Sequence, residues 1–332
     1  MPNEYDHIDT HSAVNPVQME IRGLSKDFTV SHQGKKATLT AVKDVTFSVR
    51  QGETFSIVGE SGCGKSTLGR CVARLLQPSS GQVIFEGQDI SLLKNRALRQ
   101  LRSRIQFIFQ DPYSSMNPRM KVRAVLAESL RNFKVPTAEI NQRLSELLQL
   151  VSLNENALDK YPHQFSGGQR QRLVIARALA LEPDFIVCDE PVSALDVSVQ
   201  AQVINLLVDL QKKLGLSYLF ISHDLSVVRH LSHRVAVMYL GRIVEMGTRD
   251  EIFLNPQHPY TKALMAAVPR FTEQDRALPR EARLVGEIPS PLAPPSGCTF
   301  RTRCPIAQPI CATAEPPKIQ LTDEHMARCH LL

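Results

Sequence analysis

The 332 residues include 39 Lys and Arg against 33 Asp and Glu, a formal net charge of +6, with 43% hydrophobic and 22% charged residues. This is the composition of an ordinary globular chain, long enough for one large α/β domain or a domain of about 200 residues with an appendage. No window reaches the roughly 18 uninterrupted apolar residues of a membrane-crossing helix. The basic residues are spread along the chain rather than gathered into an arm for nucleic acid, so no nucleic-acid partner is expected.

Residues 1–17 are polar and lack the charged-then-apolar order of a signal peptide, so they read as a disordered tail and export is not expected. Residues 18–50 alternate as half-buried strands do, most clearly at Val42, Val45, Phe47 and Val49, with SHQGKKAT (31–38) as a polar loop between two strands. The apolar run Thr54 to Val58 leads into GESGCGKST (59–67) and a helix from Lys65 to about Leu76. GQVIFEGQDI (81–90) reads as a strand with turns at both ends, KNRALRQLRSR (94–104) as a solvated helix face, and IQFIFQ (105–110) as a short buried strand. From about 120 to 182 the pattern is helical, with Leu144, Leu147, Leu148 and Val151 on one face, an insertion of helices into a strand-rich core. Strand FIVCDE (185–190), a helix from about Val197 to Leu214, strand SYLFISH (217–223) and a hairpin RVAVMYLGRIVEMG (234–247) follow. Such alternation implies a largely parallel sheet whose strand C-termini carry the site. IPSPLAPPSG (288–297), with four prolines in ten residues, is linker-like and precedes a cysteine-bearing tail.

Gly59, Gly64, Lys65 and Ser66 match G-x-x-x-x-G-K-S/T, with Glu60, Ser61, Gly62 and Cys63 between the glycines and Thr67 after. Consecutive backbone N–H groups in such a loop, with the helix start behind them, surround phosphate oxygens. Lys65 places a charge on the β/γ-phosphates and Ser66 offers a hydroxyl to Mg²⁺. The strand ending in Asp189 and Glu190 supplies two acids, the first suited to the metal's water shell and the second to polarising an attacking water.

QFSGGQRQR (164–172), between the glycine loop and the acidic strand, resembles the signature of ATP-binding-cassette (ABC) ATPases. SALD (193–196) resembles the family's D-loop, FISHD (220–224) its switch-histidine strand, and Gln110 its Q-loop glutamine; Phe165 stands where Leu is commonest. The resemblance, from about residue 18 onward, implies an α/β fold of the P-loop NTPase, ABC ATPase type. The cassette would span 18–253 with a helical subdomain at about 112–182, and a small Cys-containing extension would span 254–332. It further implies that Gly59 to Thr67 hold the phosphates of ATP, that Ser66, Gln110 and Asp189 serve Mg²⁺, and that Glu190 is the general base. His223 would contact the γ-phosphate. Phe28 matches the aromatic that stacks on adenine, its other reading being a core Phe. Ser166, Gly167, Gly168, Gln169 and Asp196 would serve nucleotide held by a second cassette in a head-to-tail pair.

NPRMKVRAVLAESL (117–130), SHDLSVVRHLSHRVAVMYLGRIVEMG (222–247) and NPQHPYTKALMAAVP (255–269) resemble ATPase subunits of bacterial dipeptide and oligopeptide importers, nearest the F-type subunit. That resemblance implies a heterodimer with a related D-type cassette, a two-protein permease, an external solute-binding protein, and a peripheral place on the cytoplasmic face of the inner membrane. Nickel and some other solute importers share the extension. A soluble cassette acting on nucleic acid or the ribosome is the reading from another class; the chain shows neither tandem cassettes nor a coiled-coil insertion. Cys298, Cys304, Cys311 and Cys329 are four thiols that suit an iron–sulfur cluster or tetrahedral zinc; the resemblance implies a four-iron four-sulfur (4Fe-4S) cluster. Cys63 is a candidate for oxidation, and Cys71 and Cys188 are expected to be small core residues.

Overall fold

The structure, a computed structural model, describes residues 15–32, 34–111, 115–266 and 286–332. Of the tail expected at 1–17, residues 1–14 lie outside the described set.

In chain order the first elements are strands β1 (Val17–His32), β2 (Lys35–Arg50) and β3 (Thr54–Val58), helix α1 (Lys65–Val72), and strands β4 (Ser80–Phe85) and β5 (Gln88–Asp89). Helix α2 (Asn95–Arg104), strand β6 (Ile105–Ile108) and helices α3 (Val122–Asn132), α4 (Thr137–Leu150) and α5 (Gly167–Leu179) follow. Then come β7 (Phe185–Asp189), α6 (Val197–Leu214), β8 (Ser217–Ile221), α7 (Leu225–Leu231), β9 (Arg234–Tyr239) and β10 (Arg242–Thr248). Helices α8 (Arg249–Leu254) and α9 (Pro259–Ala266) precede a one-turn helix at Ile310–Thr313 and strands β11 (Lys318–Gln320) and β12 (Met326–Arg328). The described residues fall into two compact units, one of residues up to Arg50 with Thr54–Leu92 and Ile221–Leu332, the other of Gln51–Glu53 with Leu93–Phe220.

In the first unit an antiparallel sheet runs β2-β1-β4-β5. The segment expected to be a polar loop at 31–38 is mostly strand, because β1 and β2 stay in register out to Ser31↔Lys36. Backbone pairing satisfies the amides there whatever the side chains, and polar residues suit a ribbon that faces water. GQVIFEGQDI is a hairpin rather than one strand: Phe85 pairs with Gln88 across a two-residue turn whose residues, Glu86 and Gly87, both have positive φ. Helix α1 stops at Val72, short of Leu76, because Arg74 turns left-handed (φ 54°) and its guanidinium, buried, donates to the Ile90 carbonyl at 2.8 Å. Strand β3, buried throughout, lies parallel to β9, and β10 returns antiparallel to β9.

The tail belongs to this unit. β12 pairs with β10 (Glu245↔Ala327) and β11 with β12, so the tail adds strands at the β10 edge. Ion pairs fasten it: Glu324 to Arg234 at 2.7 Å and also to Arg50, and Glu315 to Arg242 at 2.8 Å. Under them Tyr239, Tyr260, Phe300 and His258 form a buried aromatic cluster with ring centroids 4.7–5.6 Å apart. Buried Glu245 accepts from the Gln257 and His258 amides at 2.7 and 2.9 Å and meets His325 Nε2 at 2.8 Å.

The His258 ring carries an acid sensitivity. Burial lowers its pKa to about 4 against a smaller opposing pull from Glu245, and Nδ1 accepts from the Tyr260 amide at 3.0 Å. An unfolded imidazole takes its proton near about 6.5. The unfolded chain therefore binds more protons between these values: the stability is full above about 6.5 and is lost as pH falls towards 4, about 2 kcal/mol of it by pH 5. His233, also lowered by burial, adds in the same direction. Unfolding midpoints should fall between pH 7 and pH 5, and His258→Asn should flatten much of that slope; an unchanged slope in the variant would place the sensitivity elsewhere.

In the second unit the strands run β8-β7-β6, with β6 and β7 parallel (Ile105↔Phe185 to Ile108↔Cys188). The helical stretch is α3, α4 and α5 with two short 3-10 turns, and Leu144, Leu147, Leu148 and Val151 are all fully buried. Helix α2 buries only Leu101 while Lys94, Arg96, Arg99, Arg102 and Arg104 face water, a solvated basic face.

Candidate functional site

In the first unit, strand β3 delivers the chain at Gly59 into the glycine loop, and α1 starts at Lys65. Gly64 caps that helix with φ 105°, and its carbonyl accepts the first helical bond, from Leu68 N at 2.9 Å. A Cβ at Gly64 would stand 2.1 Å from the Ala41 carbonyl oxygen, so the loop approaches backbone there and glycine is required. The Cys63 carbonyl accepts from Gly241 N at 2.8 Å, fixing the loop to the β9–β10 turn. Lys65 Nζ, buried, lies within the loop's arch, donating to the carbonyls of Gly59 (2.7 Å) and Glu60 (3.0 Å). Ser61 and Gly62 are exposed and Ser66 and Thr67 half-buried.

His223 is exposed on the turn after β8. The turn is held at both sides: Ser222 N donates to Ile57 O at 3.2 Å, beside the loop's strand, and Asp224 caps α7 by accepting from Ser226 N and Val227 N. Phe28 is half-buried on β1 with Lys26 Nζ 5.1 Å from its ring centroid, so it is a partly open aromatic and not a sealed core residue.

In the second unit, the parallel pairing of β6 and β7 brings Gln110 and Glu190 to neighbouring strand ends, where Gln110 Nε2 donates to Glu190 Oε2 at 2.8 Å. Asp189 is 1% exposed at the end of β7. Glu190 has φ 47°, a left-handed conformation that costs a non-glycine residue about 1–2 kcal/mol. Ser193 secures it by donating N–H and Oγ–H to the Glu190 carbonyl at 3.3 and 3.0 Å. These bonds hold the strained backbone in place, while Gln110 meets the carboxylate itself.

Ser166 and Gln169 form a capping box at the start of α5: Ser166 Oγ accepts from Gln169 N, and Gln169 Oε1 from Ser166 N. Ser166 and Gln169 are exposed, Gly167 is half-buried and Gly168 buried. A Cβ on Gly168 would lie 2.3 Å from Val199 Cγ1, so this glycine also lets α5 approach α6, a packing role that the motif itself does not announce. Phe165, in the place of the commoner Leu, is buried beneath Lys160. Asp196 is exposed at the start of α6.

The cysteines separate into two kinds. Burial raises the Cys63 thiol, which outweighs the nearby Lys65 charge, so Cys63 is held protonated and the expected oxidation sensitivity has no support in its surroundings. Burial likewise pushes Cys71 up to about 11 and Cys188 higher, as small core residues. In the tail Cys311 and Cys329 are buried and Cys298 and Cys304 half-buried. Burial raises Cys298 and Cys304, with smaller upward contributions from other tail thiols, and Cys298 N donates to the Cys311 carbonyl at 2.8 Å. Cys329 Sγ accepts from Leu331 N at 3.4 Å. Among the described residues no three His, Cys, Asp or Glu side chains are gathered closely enough to hold one metal ion. The residues present nonetheless fit a cluster by donor chemistry, being four soft thiols with an amide donor to sulfur.

Sequence patterns missed the tail's contact with the glycine loop. Arg303 Nη1 and Nη2 donate to the two Glu60 oxygens at 2.6 and 2.9 Å, and Glu60 N donates to Tyr260 Oη at 2.9 Å. A separation of 243 residues leaves no local signal for it.

Residues 42–193 match the ABC transporter family, and residues 244–311 the family described as oligopeptide/dipeptide transporter, C-terminal region. The chain is 50% identical over 318 residues to the oligopeptide transport ATP-binding protein AppF of Bacillus subtilis (strain 168), covering 94% of this chain and 97% of that protein. It is 51% identical over 309 residues to the oligopeptide transport ATP-binding protein OppF of Salmonella typhimurium, covering 90% and 92%. Among solved structures, cbiO1 from Clostridium perfringens, part of the ABC transporter complex cbiONQ, superposes with a TM-score of 0.63 at 30% identity, over 72% of this chain and 91% of that one. The ATP-binding cassette MJ0796, in a dimeric post-hydrolysis state bound to ADP and Pi, superposes with a TM-score of 0.62 at 28% identity, over 70% and 98%.

Proposed function

Because the chain belongs to the ATP-hydrolysing subunits of ABC transporters, we propose that it is the motor of a peptide importer, dipeptides foremost, driving uptake through a separate permease. The observation that carries the cargo class is the pairing of an ABC cassette with the oligopeptide/dipeptide C-terminal region, whose buried His258 donates its amide to Glu245 of β10 and whose buried Tyr260 packs on Tyr239 of β9. We assign the cassette to 18–253, its helical part to about 112–182, and the extension to 254–332. No described helix is long and apolar enough to cross a membrane, which suits a peripheral subunit on the cytoplasmic face of the inner membrane, fed by an external solute-binding protein.

ATP with Mg²⁺ is the substrate of this family. Residues Gly59 to Thr67 are assigned to the phosphates, Phe28 to the adenine, and Ser66, Gln110 and Asp189 to Mg²⁺, which neutralises phosphate charge when bound. Glu190 takes the proton of the attacking water and His223 holds the γ-phosphate side of that water. The exposed face of the α5 start, Ser166 to Gln169, with Asp196, is assigned to nucleotide on a partner, a related D-type cassette paired head-to-tail.

We assign the four tail thiols to a 4Fe-4S cluster. Four soft thiols, the bond from Cys298 N to the Cys311 carbonyl at 2.8 Å, and the amide donated to Cys329 Sγ support it. Iron and acid-labile sulfide in the anaerobically purified chain, lost on replacing the four cysteines, would support the assignment; zinc in their place would end it.

The test of cargo is uptake of labelled dipeptide, longer peptide and nickel in the native cell, wild type against a chromosomal Lys65→Ala variant. Peptide uptake should fall to background while nickel uptake stays. Loss of nickel uptake alone would reassign the cargo, and persistence of all three would overturn the reading.

A further inference from the structure

The loop residue Glu60 is held on three sides. Its carboxylate takes both Nη groups of Arg303, its amide donates to Tyr260 Oη, and its carbonyl accepts from Lys65 Nζ at 3.0 Å. The two outer partners are set deep in the fold: the Arg303 side chain is 4% exposed and Tyr260 is fully buried. Arg303 also lies over the Tyr239 ring, 5.9 Å from its centroid, and Tyr239 and Tyr260 share the aromatic cluster with Phe300. The carrier of Arg303 is the turn that bears the first two tail cysteines. Arg301 N donates to Cys298 O at 3.1 Å and Arg303 N to Phe300 O at 3.0 Å, and Cys304 follows directly.

Two physical consequences meet at Glu60. An unneutralised carboxylate in a loop that surrounds phosphate oxygens would repel them, and a paired guanidinium removes that repulsion. A planar, two-pronged pair also fixes direction, which a lysine in its place could not do. We propose that Arg303 is a positioning residue for nucleotide binding: through Glu60, with Tyr260 beside it, the C-terminal extension holds the phosphate loop in shape and cancels its acid, so the arrangement of the tail sets the affinity for MgATP. The proposal rests on the assignment of residues 59–67 to the phosphates. It makes the extension a part of the nucleotide site, and it gives any rearrangement of the Cys298–Cys304 turn a direct route to the loop.

The experiment is calorimetric titration of MgATP into the purified full-length chain, with thermal melting of each variant alongside. Arg303→Ala should weaken binding about fivefold or more, within the usual range of coupling between sites, and Arg303→Lys should fall between it and wild type. Glu60→Ala removes the group through which Arg303 acts, so adding Arg303→Ala to it should change the affinity by less than about twofold. Equal affinities for wild type and folded Arg303→Ala overturn the proposal and leave the loop assignment standing, provided Lys65→Ala abolishes binding. Binding by Lys65→Ala as tight as wild type overturns both. If Arg303→Ala weakens binding as much in the Glu60→Ala background as alone, the effect is general destabilisation and the proposal is overturned.

Discussion

A Glu190→Gln chain, assembled in its transporter, is expected to bind MgATP with near wild-type affinity and to hydrolyse it about a thousandfold more slowly, the middle of the range for loss of a general base. The substitution is nearly isosteric. The carboxamide fits the left-handed position at the end of β7, which Ser193 holds by its backbone carbonyl and not by the side chain. It can also keep one hydrogen bond with Gln110, by turning its oxygen towards the Nε2 donor that now meets Glu190 Oε2. What it cannot do is accept a proton from water. Phosphate release by the purified transporter measures the rate, and retention of labelled ATP under the same conditions measures occupancy. A residual rate above about a tenth of wild type, against the hundredfold loss that is the least expected of a base, would move the base to another residue.

Gly64→Ala should be nearly as damaging by a different route. The residue sits at φ 105°, and a methyl group there would stand 2.1 Å from the carbonyl oxygen of Ala41, a backbone atom of β2 rather than the end of a flexible side chain. The loop must open to admit it, and the amides assigned to the phosphates would then lose their common aim. A loss of MgATP affinity of about a hundredfold is expected, equivalent to about 3 kcal/mol. Gly62→Ala is the internal control. Gly62 also has positive φ, 78°, but a methyl group there would meet nothing within 4 Å, so it bears only the conformational cost of about 1–2 kcal/mol. Equal losses for the two variants would show that close approach to β2 is not what the loop requires of Gly64.

The parts of the molecule legible in the sequence are those written in local pattern. Helix α6 has the bounds its periodicity predicts, Val197 to Leu214, and the β9–β10 hairpin turns at Leu240 and Gly241, both with positive φ. The buried faces of α4 and β7 follow from apolar spacing alone. What was hidden depends on partners far along the chain. Strands β1 and β2 continue through a polar stretch because each satisfies the other's backbone, and α1 ends early because the Arg74 side chain is recruited by the Ile90 carbonyl. The tail strands β11 and β12 are three residues each, too short to show alternation, and exist because β10 offers an edge. In the candidate site the glycine loop, the two acids and the capped α5 start announce themselves by motif. The hold of Arg303 and Tyr260 on Glu60 has no such pattern, and Gly168 shows its packing role only once Val199 is found against it.

The way the chain is divided between its two units sets an order of events during synthesis. Residues 93–220 form one uninterrupted run to which only Gln51–Glu53 are added, so the unit with the acids and the capped helix has nearly all its parts as soon as the ribosome has passed its last strand. The unit with the glycine loop has no such independence, since β3 waits for β9, and β10 in turn waits for β12. At about 5–20 residues per second, the nascent loop at residue 64 stands without its later partners for roughly 13–50 s, the time needed to reach residue 328. The apolar strand β3 is uncovered by its β9 neighbour for most of that interval, so this segment, rather than the helical one, is where unpaired apolar strand stays exposed longest during synthesis.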